Sequence, residues 1–242
     1  ILMEIYSYIH RKFLRLLSSS RILKFNYFFH KLFGEKDLGN IGFDFSKKKT
    51  RQFIIQDIIN SKSYKSYLEI GCFDNELFNY VKCNKKVGVD PYTGGTIRKT
   101  SDKFFETNND KFDCIFIDGL HTYEQVSKDV ANAIKVLKID GTIFIHDCLP
   151  RSYFDQAVPR SKNKWNGDVW KVIVEYRMKE EFDTCTCFID QGVGIIKKRK
   201  NSNLLKNNII NIKKLKFKDF YFNHQNLMNI IEFRKIDHFL GI

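Results

Sequence analysis

Tyr67-Leu68-Glu69-Ile70-Gly71 and Lys86-Val87-Gly88-Val89-Asp90 decide the fold. Each is a short β-rich run that closes on a glycine or an acid, and Asp90 stands 19 residues after Gly71 (90 minus 71), the interval of a nucleotide-binding βαβ unit. The pattern continues downstream. Asp113-Cys114-Ile115-Phe116-Ile117-Asp118 reads as a buried strand ending in a carboxylate and Gly119. Thr122-Tyr123-Glu124-Gln125 has the spacing of a capping box, and Val126, Val130, Ala133, Ile134 and Leu137 then share a helical face up to Asp140-Gly141. Thr142-Ile143-Phe144-Ile145-His146 is the next strand, with Asp147 just past its end. A weaker strand is expected over Thr96 to Thr100, with Ser101 capping a helix that carries Phe104 and Phe105. Asp168 to Arg177 reads as a helix. Thr184–Ile189 and Val193–Lys197 read as an antiparallel hairpin turning at Asp190-Gln191-Gly192. Strand runs alternating with helical patterns predict an α/β fold with a mostly parallel sheet.

The flanks differ from this centre. The 242 residues carry 41 Lys+Arg against 28 Asp+Glu, a net charge of +13, and 43% are hydrophobic, which supplies a core and excludes a disordered chain. No apolar run reaches the roughly 18 residues of a membrane span, and Arg and Lys interrupt the N-terminal apolar residues, unlike a signal-peptide core. Residues 1–45 form a basic amphipathic extension of two predicted helices: Ile5, Tyr6, Ile9, Phe13, Leu16 and Leu17, then, past Ser18-Ser19-Ser20, Ile22, Leu23, Phe25, Phe28, Phe29, Leu32 and Phe33 up to Gly34. These helices read either as packing against the core or a second subunit, or as a basic surface touching a membrane. Residues 46–199 hold the α/β domain, and residues 200–242 form a second basic extension, Asn-rich at its start. No pair of the six cysteines has C-x2-C spacing, Cys185 and Cys187 read as buried thiols on one strand face, and free thiols favour a cytoplasmic location.

Open parallel sheets bind ligands beyond the carboxyl ends of their strands, and four predicted ends carry polar residues or glycine: Glu69-Ile70-Gly71, Asp90, Asp118-Gly119 and His146-Asp147. The first loop, Gly71-Cys72-Phe73-Asp74-Asn75, lacks the further glycines that cradle a pyrophosphate, and Glu69 would repel one. S-adenosylmethionine (SAM), with a ribose, a sulfonium and an ammonium but no phosphate, fits better.

Leu68-Glu69-Ile70-Gly71, Val87-Gly88-Val89-Asp90, Thr100-Ser101-Asp102-Lys103-Phe104-Phe105, the run Phe112 to Glu124 and Gly141 to Asp147 resemble successive motifs of class I SAM-dependent methyltransferases. They are similar to the bacterial group of macrocin O-methyltransferase-like enzymes, as are Trp165-Asn166-Gly167-Asp168-Val169-Trp170-Lys171 and Gln191 to Ile196. The resemblance covers residues 65–197, departs at Phe73 and Asn75, where many relatives have glycine, and excludes both extensions. It implies a Rossmann-like, seven-stranded sheet with a C-terminal antiparallel hairpin and helices on both faces. It implies SAM held by Glu69 and Gly71 near the methionyl part, by Asp90 at the ribose hydroxyls and by Ser101 and Asp102 near the adenine, with Asp118 beside the transferable methyl; Cys72, Phe73, Pro91, Gly119 and His121 complete the expected cofactor contacts. It also implies a divalent ion, Mg or another, at Asp118, His146 and Asp147. His146 departs from the usual carboxylate there, and a histidine held by backbone or Asp118 without metal is the competing reading.

A hydroxyl acceptor needs help to lose its proton, and His121 is the first candidate base, with Asp118 beside it; holding the cofactor or capping a helix is its alternative role. Trp165, Asn166, Asp168 and Trp170 are the expected acceptor contacts, with core packing the alternative for both tryptophans. The function expected is O-methylation of a glycan, glycolipid precursor or small hydroxylated metabolite. An RNA methyltransferase, or an inactive relative binding a membrane surface, are the alternatives. The partners expected are that acceptor, a second copy of the chain, and a membrane touched peripherally through the basic ends; nucleic acid is not expected, since no RNA-binding module is found.

Overall fold

The computed structural model describes residues 19–206 and 209–242. The first predicted N-terminal helix lies outside them. The second is α1 (Ser19–Phe33), followed by α2 (Arg51–Ser61). The domain then runs β1 (Ser66–Ile70), α3 (Glu76–Tyr80), β2 (Lys85–Val89), α4 (Ser101–Thr107), β3 (Phe112–Ile117), α5 (Tyr123–Val136) and β4 (Leu137–Ile145). It continues through α6 (Tyr153–Gln156), α7 (Trp170–Arg177) and the hairpin β5 (Asp183–Cys187) and β6 (Val193–Lys197), and ends with α8 (Phe217–Met228), β7 (Ile230–Ile231) and α9 (Ile236–Leu240).

One seven-stranded sheet has the order β2-β1-β3-β4-β6-β5-β7. β2, β1, β3 and β4 are parallel, β6 runs antiparallel to both β4 and β5, and β7 is parallel to β5. The period-two alternation of strands sorts the side chains into two layers. Leu68, Ile70, Ile115, Ile117, Ile143 and Ile145 face α5, α7 and α8, where they meet Val130, Ala133, Ile173 and Phe220. Tyr67, Cys114, Phe116, Phe144, Cys185 and Cys187 face the opposite way, onto Ile54, Ile55, Ile58 and Ile59 of α2 and Ile236 and Leu240 of α9. Covered on both faces, the central strands can be continuous apolar runs, which is how they read. All six cysteines are free.

Three local expectations are corrected. Thr96 to Thr100 does not form a strand; only a single bridge joins Val89 to Ile97. Gly94 and Gly95 turn the chain there in left-handed conformation (φ +61° and +66°), and the Tyr92 and Thr93 N–H groups are engaged by Asp90 rather than by a ladder. The seventh strand is instead Ile230–Ile231, from the C-terminal segment. Thr100, not Ser101, caps α4, its Oγ1 accepting from the Lys103 N–H. Asp140-Gly141 does not end α5: that helix runs directly into β4, and the pair forms an irregularity where pairing steps from Phe112–Leu137 to Cys114–Thr142.

The basic segment beyond residue 199 is packed into this structure. Phe217 and Phe220 of α8 are fully buried, Phe220 against Trp170 with ring centroids 5.0 Å apart. The fully buried Arg177 donates to the carbonyls of Asn203 and Asn226. Phe220→Ala is expected to lower the unfolding free energy by about 3–5 kcal/mol, read as a shift of the urea midpoint at unchanged slope.

Candidate active site

The carboxyl ends of β1, β2, β3 and β4 open on one cavity of about 850 Å³. Gly71, Phe73, Asp90, Pro91, Ser101, Asp102, Asp118, Gly119, His121, Asp147 and Trp165 all line it. Gly71 is required by its position: φ is +86°, and a Cβ would lie 2.2 Å from the Asp118 carbonyl oxygen. The loops after β1 and β3 touch across that point. Glu69 and Cys72 lie beneath the cavity rather than in its wall. Glu69 is buried and accepts from the Tyr67 hydroxyl at 2.6 Å; burial pushes its carboxyl up to about 7 against that hydrogen bond. Cys72 is buried and contributes its N–H to Asp90.

Asp90 joins two loops. Its Oδ2 accepts from the Cys72 and Phe73 N–H groups at 3.1 Å each, its Oδ1 from those of Tyr92 and Thr93 at 2.8 Å each. Burial opposes its charge, but these donors hold its carboxyl below the usual range. A carboxylate offers about four lone-pair positions, so ribose hydroxyls would share oxygens already engaged by backbone. At the next wall Gln125 Nε2 reaches Ser101 Oγ (3.2 Å), Asp102 Oδ1 (3.1 Å) and Asp129 Oδ1 (3.1 Å). The predicted capping box is therefore half formed: Thr122 caps α5, while the Gln125 side chain turns into the cavity wall.

Beyond them lies a charged cluster. His121 Nε2 is 3.1 Å from Asp118 Oδ1, and its Nδ1 is 2.9 Å from the Trp165 carbonyl and 3.1 Å from Asp147 Oδ2. His146 Nδ1 is 3.3 Å from Asp118 Oδ1, and its Nε2 is 2.9 Å from the Asp190 carbonyl. Both nitrogens of both rings face acceptors, which makes each an imidazolium. Burial alone would lower both; the charges of Asp118 and Asp147 override it, placing His121 at about 9 and His146 well above its ordinary value. Asp118, though buried, is held well below the carboxylate range by the two imidazoles, whereas burial keeps Asp147 raised. Asp190 ion-pairs with Arg51 at 2.9 Å, so three acids stand against three cations.

Among the described residues the metal-ligand geometry belongs to Asp118, His121 and Asp147, whose donor atoms lie within 4.8 Å of one another. The expected set had His146 in place of His121; His146 Nδ1 also lies 3.3 Å from Asp118 Oδ1 and 3.5 Å from Asp147 Oδ1, while its Nε2 meets the Asp190 carbonyl. The donor set fits a divalent ion, provided His121 gives up a proton to ligate.

Of the expected acceptor residues only Trp165 reaches the cavity, stacked on His121 with centroids 5.6 Å apart. Asn166 is buried and donates to Asp147 Oδ1 (3.1 Å). Asp168 accepts the Tyr123 N–H at the start of α5 and pairs with Lys171. Trp170 is fully buried and bonds Gln156, so it packs the core. These residues support the site from behind; Gly167 (φ +63°) lets the backbone approach His121, whose carbonyl oxygen a Cβ would overlap. Residues not anticipated are Arg51 and Asp190 in the cluster, and Gln125, Asp129, Arg160, Asn163 and Lys164 in the cavity wall. In the sequence Asp190 is marked only as a turn residue, and nothing local marks Arg51. Asp90→Asn, which exchanges an oxygen accepting two N–H groups for an amide, is expected to cost about 1–3 kcal/mol of stability. Asp102→Asn is expected to leave urea unfolding within about 0.5 kcal/mol of wild type.

Residues 46–148 match a family model described as a methyltransferase domain. No curated protein matches the chain in sequence. Among solved structures, a Klebsiella pneumoniae protein provisionally named an O-methyltransferase superposes with a TM-score of 0.50 at 11% identity, covering 81% of this chain and 96% of that one. A Bacillus cereus O-methyltransferase in complex with SAH gives a TM-score of 0.47 at 10% identity, covering 81% of this chain and 97% of that one. The likeness is one of fold. The chain carries the fold of class I SAM-dependent methyltransferases, and the family match extends over residues 46–148.

Proposed function

We propose that the protein is a SAM-dependent O-methyltransferase acting on a hydroxyl of a glycan, glycolipid precursor or small hydroxylated metabolite. The observation that carries this reading is His121, clamped between Asp118 and Asp147 on the wall of the cavity formed by the strand ends. SAM lies along Gly71, Phe73, Asp90, Pro91, Ser101 and Asp102, with its methyl toward Asp118, Gly119 and His121. The acceptor enters at Trp165, Asn163 and Lys164.

In the step proposed, the acceptor oxygen forms a bond to the methyl carbon as the carbon–sulfur bond breaks. The hydroxyl proton passes to His121, leaving a methyl ether and S-adenosylhomocysteine. Alignment of oxygen, carbon and sulfur supplies much of the acceleration. His121 can accept that proton only when neutral, and with its value at about 9 only about one molecule in a hundred is neutral at pH 7. Asp118 and Asp147 make it a strong base once deprotonated. A divalent ion held by Asp118, His121 and Asp147 would act as a Lewis acid on the acceptor oxygen.

Calorimetric titration of SAM is expected to show binding both in EDTA and with excess Mg; no binding in either would overturn the reading. In EDTA the rate of methyl transfer is expected to rise with pH through about 9, and His121→Ala to abolish that rise while retaining SAM binding. Excess Mg, if bound, should move the midpoint to lower pH, because ligation displaces the His121 proton. Unchanged turnover in His121→Ala removes the base assignment.

A further inference from the structure

Helix α1 is docked with its polar side inward. Its buried residues are Asn26 and His30, while Phe28, Leu32 and Phe33 are 61%, 72% and 59% exposed. Asn26 Nδ2 donates to the Arg160 carbonyl at 2.6 Å, and His30 Nε2 donates to that of Pro159 at 2.8 Å. The Tyr153 hydroxyl lies 3.1 Å from His30 Nδ1, and burial lowers the proton affinity of His30. Tyr27 stacks on Phe154 with centroids 4.6 Å apart. A helix that joins a protein for hydrophobic reasons buries its apolar stripe; this one turns Phe28 and Leu32 outward and secures itself by hydrogen bonds.

At 100° per residue, Phe28 and Leu32 share the outward face with Arg21 and Lys24, and Lys31 flanks it. The helix contains no acid. Apolar side chains flanked by cations on one exposed face are the chemistry of a helix lying in the interface of an anionic lipid bilayer. A protein partner would need an apolar groove lined with acids, and a second copy would bring the same cations face to face. Among the described residues no helix is long and apolar enough to cross a membrane.

The same helix holds the wall of the cavity. The carbonyls that Asn26 and His30 grip belong to Pro159 and Arg160, and Arg160, Asn163, Lys164 and Trp165 line the cavity beyond them. We propose that α1 seats the protein on an anionic membrane surface through Phe28, Leu32, Arg21, Lys24 and Lys31, placing the acceptor end of the cavity against the headgroups, so that the acceptor is a membrane-anchored hydroxylated headgroup. The acceptor clause rests on the methyltransferase reading; the docking clause does not.

The test is co-sedimentation of the full chain with vesicles of phosphatidylcholine alone and with roughly one-third phosphatidylglycerol, a content that gives a negative surface potential. Binding is expected to the anionic vesicles, to weaken with added salt, and to fall at least about tenfold in F28D/L32D and in R21A/K24A/K31A. SAM titration of the same variants should be unchanged, which shows that they fold. Absence of binding to anionic vesicles, or equal binding by wild type and F28D/L32D, overturns docking whatever the SAM result. Light scattering that shows a dimer dissolved by F28D/L32D, without vesicle binding, assigns the face to a second copy instead. Vesicle binding without SAM binding leaves docking standing and removes the acceptor clause.

Discussion

Three carboxylates gathered at the end of a parallel sheet cannot all be charged and dry unless cations of the same chain meet them. Asp118, Asp147 and Asp190 are met by His121, His146 and Arg51, and much of the local architecture follows from that requirement. Arg51 opens α2, so balancing Asp190 pins the start of that helix beside the hairpin turn. The Trp165 carbonyl and the Asn166 amide bring the 165–167 loop down onto His121 and Asp147. Asp147 itself sits at φ +60°, an uncommon conformation for a residue with a side chain, and it turns the chain at the end of β4. Removing one charge from this set leaves another buried without a partner, so substitutions here are expected to couple strongly rather than add.

The balance also separates two states of the site. With both rings protonated the cluster is closed on itself as an ion-pair network. Loss of the His121 proton opens a nitrogen toward either an acceptor hydroxyl or a divalent ion. One residue thereby couples the two readings of the site, and both require the same deprotonation.

The parallel half of the sheet was legible because strands buried on both faces must be continuous apolar runs, and each such run ended in an acid or a glycine. The cavity lining near Gly71, Asp90 and Asp118 followed from those ends, whereas Ser101 and Asp102 came from the resemblance to methyltransferases. What was not legible depended on contacts distant in sequence. Nothing local to Ile230–Ile231 marks it as a strand; it exists because β5 offers an edge. That His121 joins His146 beside Asp118 and Asp147, and that the Asp190 carbonyl 44 residues away holds the other nitrogen of His146, has no local signal. The residue types of Trp170, Asn166 and Asp168 suit acceptor contacts, but Trp170 and Asn166 are buried and Asp168 is engaged by the Tyr123 N–H and Lys171, contacts set by α8, α5 and the 165–167 loop.

The two ends of the sheet differ in how they stop. β2 carries Lys85 and Lys86, and the chain beyond it returns through Val89–Ile97; β7 is only two residues long. Edges that are short, covered or lysine-bearing resist pairing with the edge of another molecule. Self-association by extending the sheet is therefore blocked at both ends, and crowding this protein should not seed cross-strand aggregates from its folded state.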